Sequence, residues 1–309
     1  MHTDTAMYHA KEQGGSRHCF FDPNLNEATQ RRVVMESRLR SAVHNKMLDL
    51  HFQPQLNLGS GLISGAEALL RWTDEELGFV GPDKFIPLAE ETGLIRQIEP
   101  ILFEKAASVI HALQASNGDH PRIAINVSPK QFSDDFAERV FALLSHLKIR
   151  PQSIELEVTE SSFIIDPDMV VVQLNALRSK GIEIALDDFG TGYSSFNKLR
   201  TLPIDLIKID RAFIVEITTE ERALGLAQHI IQIAKTLDKK VIAEGTESQR
   251  EIDILRGLGC DYIQGYAFSK PLPRDEFISF VEVHTSETSL TKTLHIPQKD
   301  TEHPSHPGH

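Results

Sequence analysis

The chain has 309 residues, 40% of them hydrophobic and 25% charged, with a formal net charge of -12. That is the composition of an ordinary globular protein. The acidic excess disfavours binding to polymeric nucleic acid, which requires clustered Lys and Arg. Cys19 and Cys260 are the only cysteines, so neither a disulfide framework nor a thiolate metal site is suggested. No run reaches the roughly 20 apolar residues of a membrane span, and no secretory signal pattern opens the chain. The expectation is a cytoplasmic domain whose parent protein could be membrane-anchored.

In chain order, residues 5–13 read as a short helix ended by Gly14 and Gly15 in the position of a C-cap. A second helix starts at Asp22, which can cap it with Pro23 in the first turn, and runs to about residue 47. Its charges, among them Arg31, Arg32, Glu36, Arg38 and Arg40, mark residues 23–47 as a linker helix, either solvated or connecting two domains. From 48 to 284, apolar strand-like runs alternate with amphipathic stretches at 102–114, 132–147, 169–179, 223–237 and 251–258. Such alternation indicates βα units around a mostly parallel sheet, and eight strands can be counted if 50–55 is the first. That first strand passes through Gly59, Ser60 and Gly61 directly into the next, leaving no room for a helix, so the two are expected to be antiparallel. Residues 285–309 hold four histidines, three prolines and little that is apolar, and are expected to form a disordered tail.

The chemistry sits at strand ends. Glu67, Asn126, Glu157, the pair Asp187 and Asp188, Lys208, Glu244 and Gln264 each follow a short apolar run. In a parallel barrel these ends open on one face, so sequence order predicts that they converge. Taken singly, each has another reading. A structural ion pair with Arg71 would satisfy Glu67, Asn126 could be a turn residue, Glu244 could cap the next helix, and Gln264 alone says little. Glu155 and Glu157 share one strand face. Asp187 and Asp188 are adjacent, and can reach one centre only where strand alternation relaxes; two divalent ions about 4 Å apart need such a bridging carboxylate. Oxygen-rich donors of this kind favour magnesium or manganese over zinc. The glycine-bearing segment 189–195 is a candidate mobile loop over the site.

Together, Glu67-Ala68-Leu69-Leu70-Arg71-Trp72, Asn126-Val127-Ser128, Glu157-Val158-Thr159-Glu160, Asp187-Asp188-Phe189-Gly190-Thr191-Gly192-Tyr193-Ser194-Ser195, Lys208-Ile209-Asp210, Ala243-Glu244-Gly245 and Gln264-Gly265-Tyr266 resemble the EAL family of cyclic di-GMP phosphodiesterases, over residues 48–284. The resemblance implies an α/β fold, a TIM-like (β/α)8 barrel with an antiparallel first strand, and hydrolysis of cyclic di-GMP to linear pGpG with two divalent cations, Mg2+ or Mn2+. It also implies that Glu67, Asn126, Glu157 and Asp187 ligate one metal, with Asp187 bridging and Asp188 holding the second. Glu244 then partners the metal-bound water, and Lys208 and Gln264 position the nucleophile or support the second site. Gln53, Leu69 and Arg71 match substrate-contacting positions, and Glu160 matches the anchor of the loop at 189–195. The family further implies a homodimer. Residues 1–22, with Asp4-Thr5-Ala6-Met7-Tyr8-His9-Ala10-Lys11 and Gly14, resemble the end of a GGDEF domain, implying upstream GGDEF and sensory domains in the parent protein.

Two other functions fit parts of the pattern. A binding module could sense cyclic di-GMP without cutting it and transmit occupancy through the linker helix. Alternatively, Lys208 could be a Schiff-base nucleophile, although nearby acids would keep it protonated.

Overall fold

The computed structural model describes residues 23–117, 120–164, 166–190 and 199–294, and side chains within 30–115, 120–164, 166–190 and 199–286. The expected helix at 5–13, the GGDEF-like segment 1–22, most of the loop at 189–195 and residues 295–309 lie outside the described residues.

Helix α1 (Pro23–His44) leads into β1 (Asp49–Asn57) and β2 (Ile63–Asp74), which pair antiparallel with Gln53 opposite Glu67. Asn57 turns the chain between them, its Oδ1 accepting from the backbone N–H groups of Gly59 and Ser60. The strands β4 (Arg122–Val127), β5 (Ile154–Thr159), β6 (Glu183–Phe189), β7 (Leu206–Ile209), β8 (Lys240–Glu244) and β9 (Tyr262–Gln264) then continue from β2, all in parallel. β9 returns antiparallel to β1 through Leu56 and Ile263, closing an eight-stranded ring. The expected antiparallel first strand is present. Two short strands lie outside the ring: β3 (Gly78–Val80), a hairpin on β2, and β10 (Leu272–Pro273), paired with β1.

The outer layer is helical: α2 (Pro82–Glu91), α3 (Ile95–Asn117), α4 (Phe136–Leu147), α5 (Pro167–Ser179), α6 (Glu221–Thr236), α7 (Gln249–Gly257) and α8 (Arg274–Leu294). Helix α4 buries Phe136, Ala137, Val140 and Leu144, and α6 buries Ala227, Ile230, Ile231 and Ala234, the one-sided spacing of helices that cover a sheet. Asp166 caps α5 through Met169 N, and Ser248 with Glu251 forms a capping box on α7, fixing where each helix starts. The strands read as continuous apolar runs because their outward side chains pack under helices while the inward ones fill the barrel.

Inside the barrel, alternation builds layers. Two residues before Asp187, Lys208, Glu244 and Gln264 lie Ala185, Leu206, Ile242 and Tyr262, a small apolar cluster separate from the main core. Two residues further back on β6 and β8, Glu183 bridges Arg122 at 2.7 Å and Lys240 at 3.1 Å. An ion-paired floor and an apolar middle thus support whatever stands at the upper rim.

Three features differ from the sequence reading. Helix α1 is no free connector: Leu39, Ala42 and Val43 are buried in the core, and Arg32 and Arg38 pair with Glu91 and Glu76. Its apolar stripe is confined to the last two turns and is diluted by the charges elsewhere on the helix. Helix α8 continues to Leu294, ten residues into the segment expected to be disordered, since no proline interrupts it before Pro297. Helix α2 was not foreseen.

Candidate active site at the barrel rim

The carboxylates meet around one ammonium. Lys208, 1% exposed, places Nζ 2.8 Å from Glu157, 2.8 Å from Glu244, 3.2 Å from Asp187 and 3.5 Å from Glu67. Each arrives from a different strand, β5, β8, β6 and β2. Asn126 at the end of β4 donates to Glu67 Oε1 at 2.7 Å, and Gln264 at the end of β9 donates to Glu67 Oε2 at 2.5 Å. Gln264 also reaches Gln53 Oε1 at 3.4 Å. Seven of the residues singled out by strand-end position, together with Gln53, therefore form one connected cluster.

Burial and charge divide the acids into unlike states. Burial pushes the Glu67 carboxyl up, but Lys208 and the hydrogen bonds from Gln264 and Asn126 outweigh it and hold the group below its usual range. Glu157 is driven well above the ordinary carboxylate value by burial and by Glu67, against the pull of Lys208. Glu244 is raised to about 7, mainly by burial. Burial lowers the Lys208 pKa, yet the four acids reverse this and raise it well above the lysine value. An ammonium so strongly held is a poor Schiff-base nucleophile.

Asp188 stands at the rim with φ of +54°, its N–H donating to Asp187 Oδ1 at 2.9 Å. The β6–β7 register shifts between Leu186 and Phe189, so the strand alternation does relax at the acid pair. Burial, with Asp187 and Asp210 beside it, raises the Asp188 pKa. Left-handed backbone at a non-glycine residue is strain of the sort found at functional sites.

Glu67 forms its ion pair with Lys208 and not with Arg71, whose Nη1 donates to Leu70 O and which feels Glu67 only as a more distant charge. Arg71 and Leu69, half-buried, lie further along β2. Glu160 follows β5 in a short 3-10 turn with Oε1 buried and, among the described residues, unpartnered; the loop it was expected to anchor falls mostly outside the described residues. Sequence reasoning passed over Gln55, which is buried and donates to Gln264 Oε1 at 2.9 Å. Its spacing of two from Gln53 on one strand was the available signal.

Beside the acids opens a cleft of about 260 Å³, lined in part by Gln53, Glu67, Glu244, Gln264 and Tyr266. Among the described residues, no three acidic, histidine or cysteine side chains are preset as an ion cage; the acids converge on Lys208 Nζ instead. The donor chemistry nevertheless fits hard divalent cations, with oxygen ligands from Glu67, Asn126, Glu157 and Asp187. In particular, among the described residues the fully buried Glu157 has only the ion pair to Lys208 Nζ at 2.8 Å and no aligned hydrogen bond to either oxygen, and burial with Glu67 beside it still drives its carboxyl up, an expense that a further cation would offset.

An antiparallel-started barrel with an acid cluster on its rim defines a class, and the EAL domain family model matches residues 36–271. The chain belongs to the EAL domain family. Among its relatives is the bifunctional diguanylate cyclase/cyclic di-GMP phosphodiesterase MucR of Pseudomonas aeruginosa, 38% identical over 283 residues, which cover 91% of this chain and 41% of MucR. The chain thus spans less than half the length of that relative. Among solved structures, the PaMucR phosphodiesterase in complex with c-di-GMP superposes with a TM-score of 0.74 at 36% identity, covering 79% of this chain and 99% of that one. BlrP1 of Klebsiella pneumoniae, a calcium and cy-diGMP complex, gives a TM-score of 0.63 at 26% identity over 74% of this chain and 56% of its own. No helix among the described residues is long and apolar enough to cross a membrane.

Proposed function

We propose that this chain is a phosphodiesterase that hydrolyses one phosphodiester of cyclic di-GMP to linear pGpG with the help of two divalent cations, Mg2+ or Mn2+. The carrying observation is the convergence of Glu67, Glu157, Asp187 and Glu244 on Lys208, beside a cleft in a barrel of the EAL family. Glu67, Asn126, Glu157 and Asp187 would hold one ion, with Asp187 and Asp188 reaching the second. Bound there, such ions supply Lewis acidity to the phosphodiester and lower the pKa of the attacking water.

The chain's own groups do the rest. Glu244, held 2.8 Å from Lys208 Nζ at the rim, takes the proton of the water that attacks phosphorus, and the 3′ oxygen released as its bond to phosphorus breaks takes a proton from solvent. Lys208 remains protonated, orders the acids around it, and prevents their mutual repulsion from opening the rim. Gln264 and Asn126 orient Glu67 by hydrogen bonds. Arg71 holds a phosphate oxygen, while Gln53 and Leu69 line the substrate's path.

We read residues 48–284 as the catalytic unit of a longer cytoplasmic or membrane-anchored protein. Residues 1–22 close a GGDEF domain, 23–47 link it to the barrel, and the assembly is a homodimer. The test is chromatographic: purified protein with cyclic di-GMP and magnesium should yield pGpG, and Glu67→Ala should remain folded but inactive. Binding without cleavage by the wild type would make the chain a sensor, and undiminished hydrolysis by Glu67→Ala would refute the assignment of the acid cluster.

A further inference from the structure

Resting on the proposed activity, we infer that Arg211 is a substrate-binding residue that receives the phosphate of the cyclic dinucleotide not undergoing cleavage, and that Glu247 holds it in reserve until substrate arrives.

Arg211 opens the 3-10 turn that follows β7 (Arg211–Phe213), set by Asp210, whose Oδ1 accepts from Ala212 N at 2.8 Å. The turn places Arg211 against β8. Gly245, at φ of +68°, lies beneath its stem, so that a Cβ there would stand 2.4 Å from Arg211 Cγ and 2.6 Å from Cβ. A left-handed glycine directly after Glu244 thus makes room for this side chain. The guanidinium reaches Glu247 at 2.6 Å, and both residues line the same cleft as Glu67, Glu244 and Gln264.

Among the described residues of that lining, Arg211 is the one cation, set against Glu67, Glu244 and Glu247. A cyclic dinucleotide carries two phosphates. The one being cleaved meets the acid cluster with its ions and Arg71; the other brings a second negative charge to a wall that already holds carboxylates. Without a cation turned toward it, that phosphate would be repelled. Arg211 and Glu247 are 59% and 54% exposed, and an exposed pair of this kind contributes at most about 1 kcal/mol. Exchange of Glu247 for a phosphate is therefore cheap, and the guanidinium fork suits phosphate oxygens better than a single carboxylate oxygen.

Cyclic di-GMP affinity would be measured by calorimetry with calcium, at several salt concentrations, beside kcat and KM with magnesium. Arg211→Ala should weaken binding and raise KM about 10- to 100-fold, the range for a lost hydrogen bond to a charged group, with kcat little changed and a shallower salt dependence of affinity. Arg211→Lys should recover part of the loss. Glu247→Gln should lower KM in the native background and do nothing when combined with Arg211→Ala. A wild-type KM in Arg211→Ala, a loss confined to kcat, or an unchanged salt dependence would overturn the assignment. Wild-type protein that neither binds nor cleaves the dinucleotide would take down this inference and the proposed activity together, whereas an active wild type with an indifferent Arg211→Ala sinks the inference alone.

Discussion

Replacing Lys208 by methionine isolates what holds the rim together. The ammonium lies within 3.5 Å of four carboxylates and is 1% exposed. Methionine keeps most of the volume and removes the charge. Breaking a buried ion pair from one side costs about 3–5 kcal/mol. At about 2–4 °C per kcal/mol for a domain of this size, the melting temperature in EDTA should fall by about 6–20 °C. The deficit should depend on pH in a definite direction. Without Lys208, Glu157 and Glu244 are raised further above their unfolded values and Glu67 loses the charge that holds it low, and a carboxyl raised by folding favours the fold when protonated and costs stability once pH climbs through its folded pKa. The loss should therefore be smaller at pH 5 than at pH 8. Saturating magnesium should narrow the gap, because ions among the acids supply part of the missing positive charge. Calorimetry in EDTA and in magnesium at both pH values checks this. A variant as stable as wild type in EDTA at pH 8 would show that Lys208 is not what neutralises the cluster.

Glu155, buried with Oε1 unpartnered, is raised to about 7 by burial and by Glu183, against Lys208, Arg122 and Lys240. Its penalty is absent below the unfolded value near 4.5 and complete above 7, so Glu155→Gln in EDTA should be neutral at pH 4.5 and stabilising by about 3 kcal/mol at pH 8; urea unfolding giving equal differences at both values would contradict it. A Cβ at Gly265 would stand 2.2 Å from Thr246 O and 2.3 Å from Thr246 N, backbone that cannot swing aside. Gly265→Ala should destabilise by about 1–3 kcal/mol and lower kcat by separating Glu244 from Gln264, its partner across β8 and β9; unchanged melting and turnover would count against that close packing. Calcium in place of magnesium should retain substrate binding but suppress turnover, since its larger radius and looser geometry suit a magnesium-type pair poorly; equal product formation with either ion would remove the argument for such a pair.

The sequence by itself determined the barrel and the candidate rim. Apolar runs ending in Glu67, Asn126, Glu157, Asp187, Lys208, Glu244 and Gln264 betray parallel strands buried on both faces, and the short link through Gly59 to Gly61 leaves β1 no choice but to run antiparallel to β2. These are local properties, written in spacing and length. Tertiary structure alone decided the partners and the charge states: Glu67 pairs with Lys208 and not with its neighbour Arg71, Glu157 rises while Glu67 falls, Arg211 meets Glu247 across a cleft, and Leu39, Ala42 and Val43 turn a charged helix into part of the core. The reason is that Coulomb attraction and desolvation depend on distance and burial in space, which the order of residues along a chain does not encode.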